Sequence, residues 1–366
     1  MIWLFLGCTA EPPPATIPGP CEVVAAAGGA ADPLAFAQAA VADGRAKSDE
    51  GAYVLADAGA RCALARDPAS VPARRLLAHV RVQQHRFAEA AELAEPLARE
   101  TNDAGTWIVV GDALLEQGEF DGAAMAYQRA ADHRPGLLVF DRIAHLRWME
   151  GDVEGAREAA VWAVESGSAA DPEPLAWALT SLGWLKVLAR EAAPELDGAL
   201  ALVPGYAPAL LARGRARLHE EGPAYDLEGG LSDLRALPRN AEALRYLADH
   251  EPVTIPTTAD RRTWADFVAP SRPADALAAI DAELLLRRDP VTRMTRAWAL
   301  FHVERVEEAR DEARNALATG CPEPRLLHHA AVVLGDPSLA TRALVTGAGL
   351  TGSERGALRA LLAPGD

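Results

Sequence analysis

The chain is nearly without lysine. Only Lys47 and Lys186 occur among 366 residues, against 34 arginines. Aromatic residues are also scarce, at 5%, and cysteine is limited to Cys8, Cys21, Cys62 and Cys321. These shortages exclude several classes. There is no CxxC pair and no Cys/His cluster at metal-ligand spacing, so neither a zinc ribbon nor a dithiol redox site is encoded. There is no HExxH, no GxSxG elbow and no glycine-rich phosphate loop. Positive charge is in deficit, 36 Lys+Arg against 52 Asp+Glu, for a net charge of -16. A general nucleic-acid binder needs a basic footprint to displace counterions, which this composition lacks. The apolar opening, Met1 to Gly7, is far too short to cross a bilayer, which takes ~20 residues.

What is present is alanine, within a 50% hydrophobic composition that excludes a disordered chain. Alanine is the best helix former and a small core residue. Many alanines with few aromatics point to helices crossing at close range. The periodicity supports this. In residues 104–137, Trp107, Val110, Gly111, Leu114, Ala123, Tyr127, Ala130 and Pro135 fall on two stretches of 3.6-residue period, with Gly118 at the turn between them. Trp107 and Leu114 suit the space between the two helices. Gly111 suits a close backbone approach, and Pro135 ends the unit.

This 34-residue pattern resembles the tetratricopeptide repeat. Weaker copies start at Val71, Leu137, near Glu173 and at Ala207, and others follow Pro273. The resemblance implies an all-α fold, a right-handed α–α superhelix (a TPR-like solenoid) of eight to ten helix pairs. The expected organisation is a leading segment and proline-rich tether at 1–30, a solenoid at 31–250, an irregular insert or kink at 251–272, and further repeats with a capping helix at 273–366. Glu221-Gly222-Pro223 and Gly229-Gly230 are expected to disturb a second helix. Val253-Thr254-Ile255 suits a short extended stretch, and Asp260 a helix cap.

The N-terminus has a second resemblance. Met1 to Gly7, then Cys8, then Glu11-Pro12-Pro13-Pro14, is similar to a bacterial lipoprotein signal. That implies lipidation at Cys8 and a membrane-anchored location in the envelope, facing the periplasm. The alternative is a cytoplasmic chain with an apolar N-terminal tail. Cys21 and Cys62, 41 positions apart, are compatible with a disulfide in an exported protein, while Cys62 equally suits a small buried helix residue.

The repeat resemblance further implies a concave groove, lined by the first helix of each pair, that binds a protein or peptide. Carried over by position, its lining includes Arg75, His79, Asp112, Glu116, Asp141, His145, Trp148, Trp177, Trp184 and Arg215. Trp148, Trp177 and Trp184 are either anchors for an apolar partner side chain or interhelix packing. Asp112, Glu116 and Asp141 either meet a basic peptide or form a solvated helix face. No catalytic residue, metal or cofactor is assigned. An enzymatic reading would have to pair His328 or His329 with Asp336, and adjacent histidines on a helix are expected to face apart. The function expected is a non-catalytic interaction scaffold. The alternatives are a soluble cytoplasmic adaptor or a repeat protein that assists a separately encoded enzyme.

Overall fold

A computed structural model describes residues 18–47, 49–256 and 260–363. These residues form helices joined by turns, with no strand among them. The helices alternate as pairs. A short α1 (Pro20–Ala26) precedes α2 (Pro33–Lys47) and α3 (Glu50–Arg66), then α4 (Val71–Gln83) and α5 (Phe87–Thr101). Next come α6 (Ala104–Glu116) with α7 (Phe120–His133), and α8 (Leu137–Met149) with α9 (Val153–Glu165). Then follow α10 (Pro172–Leu188) with α11 (Glu195–Leu202), and α12 (Ala207–Arg217) with α13 (Leu227–Arg235). A single helix, α14 (Ala241–Leu247), closes this first array. The second array holds α15 (Arg261–Val268) with α16 (Pro273–Leu284), and α17 (Pro290–His302) with α18 (Val306–Leu317). It ends in α19 (Pro324–Leu334), α20 (Pro337–Val345) and α21 (Gly352–Leu362).

Each first helix packs on its own partner and on the next first helix, as α2 on α4, α4 on α6, α6 on α8 and α8 on α10. That stacking makes a helix-pair solenoid, with nine pairs among the described residues. Side-chain size governs the crossings. A Cβ on Gly111 would stand 2.3 Å from a ring carbon of Tyr127, so α6 and α7 touch only because that position is bare. Ala90, Ala94, Ala123, Ala130, Ala156, Ala160 and Ala163 are fully buried along the second helices. Aspartates stop and start the elements: Asp103, Asp152, Asp226, Asp260, Asp289 and Asp336 each accept a backbone N–H at a helix start.

Three expectations are corrected. Gly229-Gly230 does not break α13. The helix starts later, at Leu227, and the bare Gly230 lets it lie against Gly214 of α12. Val253-Thr254-Ile255 forms no strand, and Ile255 is buried in the core of the second array. Residues 20–26, placed in a proline-rich tether, form α1, which a Cys21–Cys62 disulfide fastens to α3. Cys8 and residues 11–17 lie outside the described residues.

The first array wraps until its ends meet. Helix α2 reaches α12, and Arg45 of α2 pairs with Glu173 of α10 at 3.3 Å. The second array then docks along one edge of the first, on the turns within the pairs. Arg288 N–H donates to the Glu116 carbonyl at 2.8 Å, and Arg190 donates to the carbonyls of Leu344 and Val345. One apolar core spans the seam, joining Trp148, Met149 and Leu188 to Trp298, Leu326 and Leu327. One tight backbone approach is at Gly151. It has φ +83°, and a Cβ there would stand 2.6 Å from the Gly320 carbonyl oxygen.

Gly151→Ala is therefore expected to destabilise the protein by roughly 2–4 kcal/mol, combining left-handed strain with a backbone clash. Gly356→Ala, in an exposed helix position with nothing near its added Cβ, is expected to be neutral or stabilising. Urea unfolding of the two variants checks the pair; equal stabilities would refute the tight seam.

Candidate functional site

The first helices of the first array turn their inner faces toward one another and leave a channel. One part of it is a cavity of about 610 Å³. Eight of the ten positions carried over from the sequence line it: Asp112, Glu116, Asp141, His145, Trp148, Trp177, Trp184 and Arg215. They come from α6, α8, α10 and α12. The remaining two, Arg75 and His79 of α4, line an adjoining cavity of about 770 Å³ toward the N-terminal ends of these helices. A third cavity, of about 830 Å³, opens beside α2 and the 236–241 turn. Arg142 lines all three, so they abut on its side chain.

The chemistry inside differs from the expectation. Asp112, Glu116 and Asp141 do not form a free acidic strip. Asp112 accepts from the Tyr127 hydroxyl at 2.8 Å and faces Arg142 at 3.5 Å. Glu116 pairs with Arg287 of the second array. Asp141 is 6% exposed and accepts from Trp177 Nε1 at 2.7 Å, with Arg142 at 3.5 Å. A basic peptide would have to compete with these partners for the carboxylates. The tryptophans divide. Trp148 is 9% exposed and belongs to the core between the arrays, so interhelix packing describes it. Trp177 and Trp184 remain partly exposed along the channel. Arg215 lies over Trp184 with its guanidinium carbon 4.0 Å from the ring centroid, and donates to the Tyr246 hydroxyl at 3.0 Å.

Sequence reasoning missed the other half of this lining. Arg142, Glu242, Arg262, Arg287, Asp289 and Arg325 also face the cavity, four of them from the second array. Arg325 bonds Glu242 at 3.1 Å and Asp266 at 3.3 Å. Burial opposes the charge on Glu242, but Arg245, Arg325 and Arg215 outweigh it and hold its carboxyl well below the usual range. The available signal was the bias itself. A chain that keeps 34 arginines and two lysines is selecting a planar, forked donor, which suits buried carboxylate pairing.

The His328–His329 doublet also departs from expectation. The two rings meet, Nδ1 to Nδ1 at 2.9 Å, rather than facing apart. Helix α19 is buried on every side along Pro324–Ala331, so neither side chain has a solvent direction to take. His329 Nε2 bonds Asp266, and Trp298 stacks on its ring at 4.3 Å. Asp336, the partner a catalytic pairing would need, instead caps α20 at Ser338. Among the described residues no three His, Cys, Asp or Glu side chains are grouped to hold a metal ion.

No protein-family model and no curated protein matches the sequence. Among solved structures, the chain is similar to the APC/C hetero-tetramer Cut9–Hcn1, with TM-score 0.44 and 15% identity over 85% of this chain and 53% of that one. It is similar to Naa15/Naa10 bound to HypK-THB, with TM-score 0.30 and 17% identity over 91% and 44%. It is also similar to a tetratricopeptide repeat protein from Parabacteroides merdae, with TM-score 0.32 and 11% identity over 82% and 99%. The chain spans about half the length of the first two.

Buried histidines set the pH response. Burial, with neighbouring arginines, lowers His79 to about 3 and His219 to about 4. Burial and the His329 ring lower His328 to about 4. All three are neutral in the fold and take protons readily once unfolded. Their contribution is complete above pH 6.5 and is lost as pH falls toward 4, at up to about 1.4 kcal/mol per pH unit for each. The midpoint of urea unfolding is expected to fall steadily between pH 6.5 and 4. A flat profile in that window would contradict the burial of these rings.

Proposed function

We propose that the protein is a non-catalytic binding scaffold that receives an extended segment of a partner protein in its inner channel. The observation that carries this is convergence: inner-face positions of five successive first helices open onto three adjoining cavities that share Arg142. Trp177 and Trp184 give that space apolar surface with polar edges, the combination that concentrates binding energy in few residues. We further propose that the chain is a lipoprotein of the bacterial envelope, held by lipid on Cys8 and facing the periplasm. The Cys21–Cys62 disulfide supports an oxidising compartment over the cytoplasm.

A photo-crosslinking residue at Ser181, in the channel, is expected to capture the partner, and one at Met125, exposed on α7, to miss it. Trp184→Ala is expected to weaken that capture by about tenfold or more. Equal capture from both positions would place binding elsewhere. For the anchor, wild type is expected in the membrane fraction and Cys8→Ser in the soluble fraction. Identical partitioning would remove the lipid from the proposal.

A further inference from the structure

The mouth of the channel has the opposite sign to the molecule. The chain carries a net charge of -16, yet the cavity at the N-terminal ends of α4, α6, α8 and α10 is lined by Arg45, Arg75, Arg134 and Arg142 against Asp103 and Asp171. Each of three guanidiniums uses a small part of its capacity. Arg75 bonds Asp103 at 2.7 Å, Arg45 meets Glu173 at 3.3 Å, and Arg142 reaches Asp112 and Asp141 only at 3.5 Å. A guanidinium has five N–H donors, so most donors here have no acceptor among the described residues. Arg45 Nε is buried with no hydrogen-bond partner among the described residues. The exposed Arg134 makes no side-chain bond among the described residues.

His79 sits among them, half-buried, on the wall shared by two of the cavities and with no hydrogen-bond partner among the described residues. The charges that act on it are Arg45 of α2, Arg142 of α8 and Arg75 of α4, and together with burial they keep the ring neutral. The carboxylates nearest those arginines, Glu173, Asp103, Asp112 and Asp141, do not offset them at the ring. On the same wall, α8 begins after Gly136 with no side-chain cap, leaving first-turn N–H groups without a side-chain acceptor.

We propose that this pocket, formed by Arg45, Arg75, His79, Arg134 and Arg142, is an oxyanion site that takes a phosphate or carboxylate group of the ligand entering the channel. It rests on the reading of the channel as a binding space, and it reverses the sign expected of the partner: the group that enters first is anionic. Forked donors from several elements, with room between them, match the spread oxygens of a phosphate or carboxylate. Chloride, a single compact acceptor, fits this donor set poorly.

The site is tested with the full chain and inorganic phosphate alone, so its failure does not depend on finding a partner. The readout is the His79 imidazole resonance, followed by NMR at pH 7 as phosphate is added, with sodium chloride of equal ionic strength as the control. An anion bound among the arginines is expected to shift that resonance saturably in phosphate and not in chloride. Arg134→Gln, which breaks no internal pair, is expected to weaken phosphate binding by about threefold to tenfold, with unfolding unchanged. A parallel titration uses an acetylated penta-glutamate peptide. A response to phosphate alone assigns the site to phosphate groups, and a response to the peptide alone assigns it to carboxylates. A His79 titration identical in phosphate, peptide and chloride overturns the proposal. The crosslinking result from Ser181 is independent of that outcome.

Discussion

Buried pairing between arginine and carboxylate holds the two arrays in register. Glu116 of α6 meets Arg287 ahead of α17, Glu242 of α14 meets Arg325 of α19, and Arg245 of α14 meets Glu354 of α21. Charges taken out of water are costly, and such pairs hold only where geometry and extra hydrogen bonds repay the loss. Removing one partner is the expensive change, at roughly 3–5 kcal/mol, because it strands the other. The pairs therefore act more as register marks than as a net source of stability. An apolar seam alone would tolerate sliding; a seam studded with these pairs has one alignment.

That register also sets how far the second array covers the channel. The first array wraps far enough for α2 to reach α12. The second array then brings Arg262, Arg287 and Arg325 to its open side. Small residues permit both steps. Gly111 and the alanine rows let pairs cross closely, and Gly151 and Gly118 let the arrays touch backbone to backbone. Close crossing, one superhelical turn, docking and a charged interior are successive consequences of small side chains on the helix faces.

The local parts of this arrangement were legible in the sequence. Trp107, Gly111, Ala123 and Tyr127 carry the helix-pair spacing, and each is buried as that spacing requires. Asp260 was readable as a cap because capping is a local competition for orphan N–H groups. The positions facing the channel were readable too, since helix periodicity fixes which residues share a face. Their electrostatic state was not. Asp141 looks like a free acid until α10 supplies Trp177 and its own neighbour Arg142 turns inward. Arg287 reaches Glu116 across 171 residues and Arg325 reaches Glu242 across 83, and no local pattern marks such pairings. The histidine doublet misled for a related reason. Adjacent residues diverge on an exposed helix, but α19 is enclosed, and enclosure by distant elements is not written in its own period.

The Cys21–Cys62 bond has a mechanical meaning. It links α1 directly to α3, bypassing the 40 residues between the two cysteines. Tension applied ahead of Cys21 would run through the sulfur bridge into α3, and from there into its stacking on α4. Helix α2, whose Arg45 contributes to the channel mouth and whose contact with α12 completes the turn, would lie outside the line of force. A molecule pulled from its N-terminal side would thus keep its channel mouth intact under load, with the strain borne by a covalent link instead of by the helix that shapes the opening.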